Sequence, residues 1–484
     1  MSISTQTSRS QGVIPPIGKT ALLINGEQVH GRSYLPVINP ATGEVFAESP
    51  AASLEQLNEA VAAAGRAFPS WAATPFPTRQ QVLRDIADAI DARADELAQI
   101  LTMEQGKPLP AALGEVKGTA DYIRHCTTLT LDPEIFESNE TRHVEIHRAP
   151  LGVVGAILPW NVPLMLLAFK LPPALLAGNT IVVKPARNTP LTTLRFGELI
   201  QDIVPPGVVN IIAGGSELGP ALASHPGLRK VTFTGSTGAG KKVMQAAAAN
   251  LARVTLELGG NDPAIVLPDV DLPTVIERIF ASAFGNSGQV CRAVKRVYVH
   301  RDIYAEFCDR IARRARDAVV GNGLDDGVEF GPVQNKQQFE HLQVLLAEAE
   351  KLGTVLPGGG VVDGPGFFVR PTVVRDMPDD SQLVADEQFG PILPVLPFED
   401  IEDAISRANS GPYGLAASVW SNDMETAYGI AGRIEAGTVW INKHMDRSGH
   451  LPVAGAKQSG IGVELGAVGL LEYTQYKMIN ASQP

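Results

Sequence analysis

Between residues 54 and 126, apolar positions recur at intervals of three and four through "LEQLNEAVAAAGRAFPSW" and "QVLRDIADAIDARADELAQILTMEQGKPLPAALGEVKGTADYIRH". That spacing gathers apolar side chains on one stripe and predicts several amphipathic helices. At "HVEIHRAP" (143–150) the period drops to two, the mark of a strand, here one that can project from the body. Four short apolar runs follow, "VVGAIL", "TIVVKP", "VVNIIAG" and "KVTFTGS", divided by stretches such as "PLTTLRFGELIQDIV" with helical spacing. Strands alternating with helices predict an α/β fold built on a doubly wound parallel sheet.

The alternation resumes after "TLELGGNDPAIVLPDVDL", with a strand at "RVYVH", a helix over about 303–320 and a helical stretch at "KQQFEHLQVLLAEAEKLG", so a second α/β unit is expected. The Pro/Gly-rich "LPGGGVVDGPGFFVRPTVV" reads as turns between extended segments. The tail "GLLEYTQYKMINAS" alternates like a strand able to pair with another subunit. In the first unit, "TGSTGAGKKVMQAAAAN" opens an Ala-rich helix from a Gly-rich turn, where free N–H groups and the helix dipole favour a phosphate. Gly235, Gly238 and Gly240 are spaced G-x-x-G-x-G, not the standard dinucleotide fingerprint, so an ordinary tight turn is the competing reading.

Composition narrows the class of partner. A chain of 484 residues, 44% of them hydrophobic, has ample material for sizeable cores. Three cysteines without a C-x-x-C or a Cys/His cluster argue against a disulfide framework or a structural metal, and for a reducing compartment, the cytoplasm. The opening "MSISTQTSRSQGVIPPIG" lacks an apolar core and reads as a loose tail, not a signal peptide. "VPLMLLAFKLPPALLAG" is too short and too broken by Lys170, Pro172 and Pro173 to span a bilayer. A net charge of -12 disfavours nucleic acid and anionic membranes and leaves a small molecule as the expected partner.

Cys291, in "GQVC", follows small residues that let another group approach its backbone; it is either a core thiol or a nucleophile. A nucleophile needs companions. Glu257 in "LELGG" is a carboxylate in an apolar strand, a general base if unpaired or half of an ion pair with a core Arg. Asn161 in "PWNVP" can donate to an oxyanion or cap a turn. Lys184 ends a strand on the side where α/β sheets bind ligands, unless it is merely solvated. Glu387 in "EQFGP" can bond ribose hydroxyls, with Phe389 beneath a ring, or simply flank a turn.

Taken in order, Asn161, Lys184, Gly235, Glu257, Cys291, Glu387 and Phe389, within "PWNVP", "AGNTIVVKPA", "FTGSTGAG", "LELGG", "GQVC", "EQFGP" and "KQSGIGVELG", resemble the aldehyde dehydrogenase superfamily from about residue 20 onward. The resemblance implies a Rossmann-like cofactor domain (1–131 and 151–257), an α/β catalytic domain (258–455) and a small β oligomerisation arm (132–150 and 466–484), assembled as a homodimer or homotetramer. It implies Cys291 as nucleophile, Glu257 as base, and Asn161 with the Cys291 N–H as oxyanion hole. Lys170 and Glu464 match residues of proton transfer. NAD or NADP is expected against Trp160, Lys184, Arg187, Gly235, Ser236, Gly259, Glu387 and Phe389, and no metal is expected.

Three departures from the family pattern stand out. "KPAR" puts Arg187 where the family usually has a Glu that disfavours a 2′-phosphate, so NADP becomes a candidate beside NAD. "PVAG" replaces "PFGG", and Asn261 stands where Lys is common; neither touches the expected chemistry. Motif alignment puts Val162, Leu166, Phe169, Gly285, Val290 and Arg292 near the aldehyde, a mostly apolar set suited to an aliphatic or aromatic chain. Arg292 and the polar loop "KHMDRSGH" could instead grip the carboxylate of a semialdehyde. A CoA-acylating relative or a silent binding protein would be expected to lack Glu257 or Cys291, and both are present.

Overall fold

The computed structural model describes residues 19–445 and 448–482. The tail expected to be loose, together with Asp446 and Arg447 of the polar loop, lies outside the described residues. The 54–126 region forms four helices, Leu54–Ala73, Phe76–Ala92, Ala94–Gln105 and Leu109–Cys126. The first begins at a capping box in which Ser53 Oγ accepts from Gln56 N (3.2 Å) and Gln56 Oε1 accepts from Ser53 N (3.0 Å). The second and fourth start at prolines, whose missing N–H costs nothing in a first turn.

These helices pack on a sheet of eight strands, whose parallel centre runs in the order Val209–Ile211, Thr180–Lys184, Val153–Ile157, Lys230–Thr234 and Arg253–Glu257. Chain order reverses between Val153–Ile157 and Lys230–Thr234, the switch point at which α/β sheets open a crevice. The sheet is not parallel throughout. Leu22–Ile24 and Glu27–Val29 at one edge and Gly460–Ile461 at the other run antiparallel.

The second unit is a sheet of seven strands centred on Val294–His300 and Asp262–Val266, parallel except at the Thr354–Val355 edge. The helix after Val294–His300 spans Arg301–Arg316, shorter than the 303–320 expected, because Val320 leaves it to bridge Phe330. The C-terminal alternation begins later than it reads. Gly466–Leu471 is a helix, buried Tyr473 follows, and only Thr474–Ser482 is a strand. That strand pairs antiparallel with Arg142–Pro150 of its own chain, and its outer edge stays open in a three-stranded sheet. No helix among the described residues is long and apolar enough to cross a membrane.

Candidate active site

Sequence order decides where the two sheets meet. Trp160 and Asn161 follow the carboxyl end of Val153–Ile157, Gly235 and Ser236 follow Lys230–Thr234, and Glu257 and Lys184 end their own strands. Cys291 precedes Val294–His300, and Glu387 and Phe389 precede Ile392–Phe398, so the second sheet contributes the amino ends of its strands. The chain crosses through Leu258–Asn261, where a Cβ on Gly260 would stand 3.0 Å from the Cys291 carbonyl.

Cys291 sits beyond a turn with Asn286, Ser287 and Gly288 in succession at φ 53°, 54° and 71°. Left-handed backbone at non-glycine residues is costly and persists where its surroundings enforce it. Here the enforcement is close packing, since a Cβ on Gly288 would lie 2.2 Å from the Gly390 carbonyl. Of the three cysteines, Cys291 alone is partly open. Burial pushes the Cys126 and Cys308 thiols up to about 12. Burial also raises Cys291, but the Arg292 and Lys295 charges oppose it.

The Asn161 side chain is buried and points at the cysteine loop, its Nδ2 donating to the Gln289 carbonyl at 2.9 Å. One amide hydrogen is left over. The Asn161 carbonyl accepts from Lys107 Nζ and from Asn286 Nδ2, both at 3.1 Å. Lys107 in turn is paired with Glu115, whose other oxygen takes the Leu164 and Met165 N–H groups at 3.0 and 3.3 Å.

Glu257 is buried, and among the described residues its Oε1 has no hydrogen-bond partner and its carboxylate no ion pair with a core Arg. Burial, reinforced by Glu464, raises its carboxyl well above the usual range, against the opposing charges of Lys170 and Arg292. Lys170 and Glu464 form a buried pair, Nζ to Oε1 at 2.5 Å, and Nζ also donates to Thr234 Oγ1 at 2.7 Å. Removing one partner of such a pair typically costs about 3–5 kcal/mol.

Trp160, Lys184, Gly235 and Gly259 follow or end neighbouring strands of the first sheet, and the second unit brings Phe389 against Trp160 and Glu387 against Gly259. A Cβ on Gly235 would sit 2.5 Å from the Phe233 ring, so the turn needs its glycine. Ser236 caps the helix Thr237–Ala248, its Oγ accepting from Ala239 N at 3.4 Å, and a helix start of this kind favours an anion. Lys184 is not solvated; it is buried, its Nζ reaches only the Pro185 carbonyl (3.2 Å), and burial lowers its ammonium. Trp160 and Phe389 meet edge to face at 5.4 Å, with Phe389 held at φ 47°. Glu387 accepts from Gly260 N (3.2 Å), lies 3.6 Å from Lys295 Nζ, and crowds Gly259, where a Cβ would stand 2.3 Å from its Oε2. Arg187 is exposed and has no carboxylate partner among the described residues. This residue set fits a nicotinamide dinucleotide. Among the described residues, no group of three or more His, Cys, Asp or Glu side chains could hold a metal ion.

Lys107, Glu115 and Lys295 were not singled out in the sequence. Lys295 donates to the Val290 and Cys291 carbonyls (2.6 and 3.3 Å), while its own carbonyl accepts from Gln388 Nε2 at 2.7 Å. The available signal was two adjacent cations, Lys295 and Arg296, in a strand whose Val and Tyr positions mark it as buried.

The aldehyde dehydrogenase family model matches residues 27–479. The chain is 40% identical over 472 residues to a phenylacetaldehyde dehydrogenase of Pseudomonas fluorescens, covering 94% of each protein. It is likewise 40% identical over 465 residues to a probable aldehyde dehydrogenase of Pseudomonas sp, covering 96% of this chain and 95% of that one. An NAD+ complex of aldehyde dehydrogenase from Bacillus cereus superposes with a TM-score of 0.95 at 36% identity, over 99% of this chain and 100% of the other. The chain therefore belongs to the aldehyde dehydrogenase family and is an NAD(P)-dependent aldehyde dehydrogenase.

Proposed function

We propose that the protein oxidises an aldehyde to its carboxylic acid through a covalent intermediate on Cys291, which water then hydrolyses. The observation that carries this reading is the pairing of a partly open Cys291 with a buried Glu257 whose Oε1 lacks a partner. Attack of the Cys291 thiolate on the carbonyl gives a thiohemiacetal. The Cys291 N–H and the spare Asn161 hydrogen stabilise its oxyanion, and one such donor is typically worth about 2.7–4 kcal/mol. The bound dinucleotide supplies the hydride acceptor. The thioester left on Cys291 is hydrolysed by water that Glu257 deprotonates, and the Lys170–Glu464 pair can pass that proton on. Hydrolysis, not transfer to CoA, is favoured because Glu257 is in place.

The first sheet would carry the cofactor, and the second the nucleophile and the Glu387–Phe389 loop. Lys184 and Glu387 would bond ribose hydroxyls, Glu387 by turning from Gly260, and Gly235 and Ser236 would meet the pyrophosphate. Arg187 can fork onto a 2′-phosphate, so both NAD and NADP are expected to serve. The apolar set Val162, Leu166, Phe169 and Val290 suits the carbon chain of the aldehyde. The open edge of Thr474–Ser482 would join copies into a dimer or tetramer, and three free cysteines fit the cytoplasm. The reading is tested by mixing the protein with aldehyde and NAD. Wild type should give a burst of reduced cofactor, and Cys291→Ala none while still binding NAD. Turnover near wild type in Cys291→Ala would reject it.

A further inference from the structure

The residue after the proposed nucleophile is unusual in what it leaves unused. Arg296, four positions on, has its guanidinium engaged by the Asn261, Arg407 and Ala408 carbonyls. Arg292 donates to no carboxylate or carbonyl among the described residues, although its side chain is only partly exposed. Its guanidinium lies 6.0 Å from the centre of the Trp440 ring, at the outer limit of a cation–π contact, which uses none of its N–H donors. Its backbone is fixed, because the Arg292 carbonyl meets His444 Nε2 at 3.0 Å and His444 Nδ1 meets Ser418 Oγ at 2.9 Å. Burial lowers His444 to about 3, so the ring is neutral and adds no second charge. Arg292 directly follows Cys291 in the chain, and its charge opposes the burial-driven rise of the Cys291 thiol and of the Glu257 and Asp262 carboxyls. A partly desolvated guanidinium with its donors unspent calls for an acceptor, and a carboxylate meets its fork with two bonds.

Building on the reading of Cys291 as nucleophile, we propose that Arg292 is a specificity residue that binds the remote carboxylate of a short oxo acid, so that the preferred substrate is an anionic aldehyde. The carbons between the two ends lie against the apolar set already named. A second effect of the same charge, favouring the Cys291 thiolate, acts on every aldehyde alike, so the two effects separate in a ratio.

The experiment compares kcat/KM for 4-oxobutanoate with butanal, and for 6-oxohexanoate with hexanal, in the full-length protein with NAD. Wild type should favour the oxo acid in at least one pair by about tenfold or more. Arg292→Met should lower that ratio about 10–100-fold, through the KM of the oxo acid, and Arg292→Lys should fall between. An unchanged ratio in Arg292→Met, or a wild type that prefers both alkanals, overturns the proposal. Should Arg292→Met yield no folded protein, wild type decides: succinate or adipate should compete with aldehyde and the dimethyl esters, which carry no carboxylate, should compete less well. Equal inhibition by diacid and ester overturns it. Turnover of neutral aldehydes alone counts against Arg292 only, whereas no turnover of any aldehyde overturns the Cys291 reading with it.

Discussion

At the Cys291 end of the cleft, three side chains that frame the cysteine are anchored before any substrate arrives: Asn161 on Gln289, Lys295 on Val290 and Cys291, Lys107 on Glu115 and the Asn161 carbonyl. At the Lys184 end the anchors are absent or weak, with one backbone carbonyl for Lys184 and exposure for Arg187. Under the proposed function the difference follows from what each end must do. Transition-state donors help only if they are aimed in advance, whereas cofactor contacts can be completed by the cofactor itself.

The sharpest way to break this contrast is at Glu257. Glu257→Gln should remain folded and lower turnover about 10²–10⁴-fold while the burst of reduced cofactor survives, which stopped-flow absorbance would show. Glu257 is raised by burial, so it stays protonated to higher pH than an ordinary carboxyl and deacylation quickens as pH rises through that raised value. The wild-type steady-state rate should carry this rising limb, and Glu257→Gln should lose it. The burst keeps its own rise, because the Cys291 thiol is also raised and must ionise first.

Asn161→Ala should cost about 10²–10³ in kcat with the KM for NAD little changed. A fall in melting temperature with kcat intact would make Asn161 an anchor for the cysteine loop and nothing more. The smallest effect is expected at the open end. Arg187→Glu should shift the NADP-to-NAD ratio of kcat/KM about 10–100-fold toward NAD, through the NADP KM. An unchanged ratio would mean that Arg187 stays in solvent with either cofactor bound.

The same contrast explains what could be read from the sequence. Val153–Ile157, Thr180–Lys184 and Lys230–Thr234 are five-residue strands buried at every position that show as apolar runs, and the candidate nucleophile and base stand out against small or apolar neighbours. The antiparallel edges were not legible, because Leu22–Ile24 and Gly460–Ile461 are only three and two residues long. Lys107, Glu115 and Lys295 escaped notice because they act on backbone carbonyls and N–H groups, which carry no residue signature. The geometry at Gly288 was half visible: small residues announced a close approach, but not that Gly390 makes it.

The strand Thr474–Ser482 pairs with residues more than 320 positions earlier, and Glu464 reaches back 294 positions to Lys170. A ribosome making this chain therefore delivers Lys170 long before the carboxylate that neutralises it. Until residues 460–482 have emerged, the first sheet has a bare edge beside Glu257 and an uncompensated ammonium at its core. Activity should thus be withheld until synthesis has passed that segment. A stalled product ending before residue 460 would be a client for chaperones, not a weaker enzyme.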